Sequence, residues 1–328
     1  MSRVFAIVLV GLLVGCATPT IPTLAPGITQ KLGTAGKLVT GFALDATHIY
    51  WTTCYYADGV NALGKVAKLP KAGGAETILA ADQSCPRNLV VDAANVYWVN
   101  RGPESASNQF VDGAVMRVDK NGSAPSTIAS KQFGDAALAI DDANVYWTAC
   151  GKEIGVYQLS KTGGAPVLIA DTSCATSIAV DATHVYWISD AIKKVDKRGG
   201  AAQTIVASRG SALTIDGGSI YWTRTEATSR TTFRSCADEK SSLLKASPDG
   251  GAANLLAQIA GTEPNRLAID EANIYWANDC ANGVMRVPKT GGNPSAVVQD
   301  QTTKNVLVDA TSVYWIVEYE DTLLKKRK

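Results

Sequence analysis

Leu89-Val90-Val91-Asp92-Ala93-Ala94-Asn95-Val96-Tyr97-Trp98 is an apolar run, a polar turn and a second run of β-branched and aromatic residues, which reads as strand, tight turn, strand. The same order recurs along the chain. All seven tryptophans follow a tyrosine: Tyr50-Trp51, Tyr97-Trp98, Tyr146-Trp147, Tyr186-Trp187, Tyr221-Trp222, Tyr275-Trp276 and Tyr314-Trp315. An aspartate stands six residues before each of them, at Asp45, Asp92, Asp141, Asp181, Asp216, Asp270 and Asp309. A fixed offset kept through every copy marks a repeat architecture.

Further along each unit a second pair of apolar runs flanks a glycine turn, as in Lys71-Ala72-Gly73-Gly74 and Lys161-Thr162-Gly163-Gly164. Glycine there supplies the positive φ that a two-residue hairpin turn demands. Each unit is therefore expected to be a four-stranded antiparallel meander. Successive Tyr-Trp pairs lie 47, 49, 40, 35, 54 and 39 residues apart, the range of a propeller blade of about 40–50 residues. The expected fold is all-β, a seven-bladed β-propeller over residues 28–328. The last unit stops at Lys328, before a fourth strand, and the segment Gln30-Lys31-Leu32-Gly33 aligns with the fourth strand of other units. The N-terminal strand is thus predicted to complete the last blade and close the ring without an exposed sheet edge.

The pattern resembles two propeller families. Tyr-Trp resembles the YWTD repeat, and the order apolar run, Asp, turn, apolar, Tyr resembles the NHL repeat. Here the aspartates precede the Tyr-Trp, whereas in YWTD repeats an aspartate follows it, so seven blades are preferred to the six of the receptor propellers.

Ahead of the repeats, Arg3 and the apolar run Val4 to Val14 read as a signal peptide, since a membrane span needs about 20 apolar residues. Leu13-Val14-Gly15-Cys16 resembles the bacterial lipobox, which implies that residues 1–15 are removed and that Cys16 is lipidated. Residues 16–27 then form a flexible tether rich in Thr, Pro and Ala. With Ala17 rather than Asp after the cysteine, the sorting rule of enteric bacteria implies the outer membrane of a Gram-negative cell. A formal net charge of +1 gives no sign of nucleic-acid binding.

In an up-down blade, the first-to-second and third-to-fourth turns share one face, while the second-to-third loops and the blade-to-blade links share the other. From each tryptophan to the turn lysine or its equivalent the units span 20, 22, 14, 10, 26, 13 and 13 residues. Almost all length variation thus falls on one face, in the loops Thr53 to Gly64, Asn100 to Gly113 and Thr223 to Ser241. Cys54 and Cys150 each lie three residues after a tryptophan, and Cys85 and Cys174 each lie seven before an aspartate. Equal register implies equal pairing: Cys54 with Cys85 and Cys150 with Cys174, leaving Cys236 for Cys280. All six map to the variable face, in an oxidising compartment.

The repeated tryptophans are expected to be core, and the aspartates to accept backbone N–H bonds of the first turn. His48 and His184 fall in that turn, so no catalytic residue, metal ligand or cofactor is assigned. The residues five before each aspartate, Thr40, Arg87, Ala136, Thr176, Ser211, Asn265 and Lys304, are expected to enter the channel. They hold no proton-transfer pair. The predicted function is that of a monomeric binding module for a protein or glycan, contacting it through Arg87, Asn265, Lys304, Tyr55, Tyr56 and Phe110. The alternative is a lyase- or hydrolase-type propeller enzyme drawing on loop carboxylates such as Glu104, Asp112 or Glu226 at the channel mouth.

Overall fold

The computed structural model describes residues 27–36, 38–56, 62–102, 113–132, 137–150, 154–226, 240–260, 264, 266–278, 283–299, 301–317 and 320–328. The expected signal peptide, Cys16 and most of the expected tether lie outside them. Seven antiparallel sheets follow one another around a ring. In the second blade the strands are Pro86–Val91, Asn95–Asn100, Ala114–Asp119 and Ser126–Ser130, each hydrogen-bonded to the next. The first blade carries an extra short strand, Tyr55–Tyr56, paired with Leu63 and Ala62.

The seventh blade is made from both ends of the chain. Its inner three strands are Thr303–Val308, Ser312–Val317 and Thr322–Arg327, and its outer strand is Thr29–Thr34, antiparallel to Thr322–Arg327. The expected closure is therefore present.

Period-2 alternation sends Tyr and Trp of each pair to opposite faces of their sheet. Each tryptophan consequently packs on the tyrosine-bearing face of the preceding blade. Between the first and second blades, Tyr50, Val66 and Leu79 meet Leu89, Val96, Trp98 and Val118 in one buried cluster. Between the seventh and first, Leu32, Tyr314 and Leu323 meet Phe42, Ile49 and Trp51. Five indole N–H groups are satisfied: Trp51 donates to the Ala35 carbonyl, Trp98 to Asn100, Trp147 to Gln132, Trp187 to Thr172 and Trp315 to Gln301.

The face carrying the aspartates is built as a repeated clasp. Asp92 Oδ1 accepts the N–H of Ala94 and Asn95 at 2.9 and 2.7 Å, and Oδ2 accepts the Tyr97 hydroxyl at 3.0 Å. Lys161 of the following blade reaches the same carboxylate at 2.8 Å and lies over the Tyr97 ring, 5.6 Å from its centroid. The lysine opening each glycine turn does this around the ring: Lys120 to Asp45 at 2.7 Å, Lys197 to Asp141 at 2.7 Å and Lys71 to Asp309 at 2.8 Å. Lys289 pairs with Asp216 and Lys328 with Asp270. At Asp181 the clasp lacks its lysine, because the fifth blade has Pro248 at that position.

The glycine turn differs from the expected two-residue hairpin. Six residues separate Pro70 from Thr77, with Gly73 N–H bonded to Pro70 O and positive φ at Gly73 and Gly74. The longer connection lets the lysine bond through its backbone as well, Lys71 N–H to Thr47 O at 2.9 Å, holding it against the aspartate turn.

Burial alone would raise these carboxyl pKa values. At Asp92 the Lys161 ammonium, the N–H groups of Asn95 and Ala94 and the Tyr97 hydroxyl outweigh it and hold the group at about 2. The corresponding donors, led by Lys197 and Lys328, hold Asp141 and Asp270 at about 2. A depressed carboxyl stabilises the fold fully above its unfolded value of about 3.9 and loses that contribution as pH falls through the folded value. Urea stability is therefore expected to be level above about pH 5 and to fall between about pH 4 and 2. Asp45→Asn, which breaks a lysine pair, is expected to cost about 2–3 kcal/mol against about 1 for Asp181→Asn. Equal losses in urea melts at pH 7 would contradict the clasp.

Candidate functional site: the loop face and the axial channel

Two of the three expected cysteine pairs are disulfides in the structure. Cys54 follows the second strand of the first blade and joins Cys85, in the link to the second blade, with Cα atoms 4.6 Å apart. Cys150 follows the second strand of the third blade and joins Cys174, in the link to the fourth, with Cα atoms 4.9 Å apart. Both bridges thus occupy one topological place, two blades apart. Each ties the root of a second-to-third loop to the neighbouring link, on the face opposite the aspartate clasps. Cys236 and Cys280 lie outside the described residues, as do Phe110, Asn265, Glu104 and Asp112.

Tyr55 is exposed and stands beside the first disulfide, in the short strand that extends the loop root. Tyr56 continues that strand; its side chain, like that of Glu226, lies outside the description. The points where loops return to the third strand are fixed by close approach. A Cβ on Gly113 would stand 1.9 Å from Gln132 O, and one on Gly283 2.1 Å from Val298 O. Glycine at these places lets loops of different length re-enter a constant blade.

The innermost strands enclose an axial channel of two chambers. One, of about 220 Å³, lies toward the loop face and is lined in part by Asn88, Thr176, Ser177, Thr214 and Arg266. The other, of about 470 Å³, lies toward the aspartate face and is lined by Leu44, Val91, Ile140, Ile269, Leu307, Val308 and their neighbours. Leu89, Val90, Leu138, Arg266 and Leu267 border both.

Of the residues five before each aspartate, Ala136 and Asn265 lie outside the described residues. Thr176 borders the polar chamber, whereas Thr40, Arg87, Ser211 and Lys304 border neither. Thr40 turns to the next blade instead, donating to Pro86 O at 2.6 Å. At Arg87 and Lys304 the reason is an extra residue in the strand. Pairing shifts between Arg87 and Val90 and between Lys304 and Val306, with Asn88 and Asn305 in the left-handed region. A β-bulge reverses the inward and outward parity beyond it.

The charged residue bordering both chambers is therefore Arg266, four before its aspartate. Equivalent positions elsewhere hold Gly41, Asn88, Ala137, Ser177, Ala212 and Asn305, so a single cation stood out in that column of the sequence. Its Nη1 crosses to the first blade and donates to Phe42 O at 2.6 Å. Burial lowers the Arg266 pKa from its ordinary value. His48 and His184 stay in their turns, each beside a threonine hydroxyl, at 2.8 and 2.7 Å. Among the described residues no three of His, Cys, Asp or Glu gather as metal ligands would.

No family model matches the chain, and no curated protein matches it. Solved structures do. YCF48 bound to D1 peptide superposes with a TM-score of 0.61 at 10% identity, covering 94% of this chain and 98% of that one. The computationally designed Ika8 protein gives 0.56 at 13% identity, covering 91% and 98%. A chain of the nidogen/laminin complex gives 0.49 at 19% identity, covering 63% and 83%. The two fuller superpositions support the fold, a β-propeller.

Proposed function

We propose that this chain is a cell-envelope lipoprotein whose propeller is a binding module, presenting disulfide-stapled loops on one face to a protein or glycan. The observation that carries this reading is the matched placement of Cys54–Cys85 and Cys150–Cys174 at loop roots on the variable face. The opposite face is occupied with its own internal clasps. Loops fixed on a rigid scaffold are where binding surfaces are built, and a covalent staple lowers the ordering cost of binding. Anchoring through Cys16 would hold the ring at a membrane, with residues 17–27 as its tether.

The test is site-specific photo-crosslinking in intact cells. A crosslinker at Tyr55, on the loop face, is expected to capture one discrete partner. The same crosslinker at Thr162, in the glycine turn of the third blade, is expected to capture none. Equal capture from both positions would contradict the division of faces, and no discrete product from Tyr55 or from other loop-face positions would remove the binding reading.

A further inference from the structure

We propose that the axial channel binds a small organic anion with an apolar body, its oxyanion seated on Arg266 and its body in the chamber toward the aspartate face. This site is separate from the loop face and does not depend on what the loops hold.

The first observation is the character of the larger chamber. The residue immediately before each aspartate is Leu, Val or Ile in every blade, from Leu44 and Val91 to Val308. Fold closure does not require this. Tyr and Trp on the second strands already fill the space between blades. These inner-strand side chains keep partial exposure, and five of them, Leu44, Val91, Ile140, Ile269 and Val308, line about 470 Å³ of largely apolar space. Apolar surface gathered in a concavity is the usual lining of a small-molecule site.

The second observation is the cation between the chambers. Arg266 carries five N–H donors, and among the described residues its hydrogen bond is the one to Phe42 O. No Asp or Glu borders either chamber among the described residues. Burial disfavours the charged form, and an oxyanion alongside would offset that penalty. Planar guanidinium donors match a carboxylate in bidentate fashion. Asn88, Thr176 and Ser177 supply further polar groups on the loop side. At about 220 Å³ that side holds a headgroup rather than a drug-sized ligand.

Titration calorimetry on the full chain distinguishes the possibilities with four probes: hexanoate, hexanol, hexylammonium and inorganic phosphate. Hexanoate is expected to saturate at one per chain. Hexanol is expected to bind about ten- to a hundredfold more weakly, the worth of a charge-assisted hydrogen bond, and hexylammonium not measurably. Phosphate, which lacks the apolar body, is expected to be weaker than hexanoate. Arg266→Gln is expected to bring hexanoate down to the level of hexanol while leaving hexanol unchanged. The idea is overturned if hexanoate does not saturate, if hexanol or hexylammonium binds as tightly, or if phosphate matches hexanoate. Because the unaltered chain makes those comparisons, they decide the matter even if Arg266→Gln fails to fold. Unchanged hexanoate affinity in a folded Arg266→Gln would reduce the guanidinium to a cap on Phe42 O.

Discussion

Deletion of residues 27–34 is expected to lower the melting temperature by about 8 °C, the effect of losing roughly 5 kcal/mol from a chain of this size. These residues supply the outer strand of the seventh blade, pairing Thr29 with Lys326 through Thr34 with Thr322. Leu32, 5% exposed, enters the cluster that joins the last blade to the first, and its burial alone is worth about 1.5–3 kcal/mol. The deletion also bares the strand Thr322–Arg327 as a sheet edge, so concentration-dependent association should accompany the loss. A synthetic peptide spanning 27–36 should restore the melting temperature. A deleted chain that melts with the intact one would show that the ring does not depend on this closure.

Trp147→Ala is expected to cost about 3–5 kcal/mol, the range for removing a large aromatic from a packed core. Trp147 is fully buried, stacks on Tyr157 with centroids 5.8 Å apart, and donates its indole N–H to Gln132 at 2.6 Å. The comparison with Trp222 separates packing from hydrogen bonding. Among the described residues the Trp222 indole N–H has no partner. Replacing each by phenylalanine should therefore cost about 1 kcal/mol more at 147 than at 222. Denaturant melts of the two variants check this, and a larger loss at Trp222 would contradict it.

Much of the architecture was legible because the repeat holds its register. Asp, Tyr and Trp occupy fixed offsets, so strand order, blade number and the closing strand followed from the spacing alone. The lysine of the glycine turn was also visible as a repeated residue. Its destination was not, since Lys161 meets Asp92 across a blade interface that no local spacing encodes. Arg87 and Lys304 were expected to enter the channel but border neither chamber, for a related reason. The left-handed Asn88 and Asn305 insert a bulge, and an alternation rule counts straight through it. The pairs Cys54–Cys85 and Cys150–Cys174 could be read because identical offsets imply identical topology, whatever the loops between them do.

Non-reducing peptide mapping of the protein extracted from its own membranes tests the account of an anchored ring with a stapled face most directly. The account predicts an N-terminal peptide that begins at lipidated Cys16, and crosslinked peptides joining Cys54 to Cys85, Cys150 to Cys174 and Cys236 to Cys280. Free thiols at Cys54 and Cys85, or an N-terminal peptide that retains residues 1–15, would contradict it.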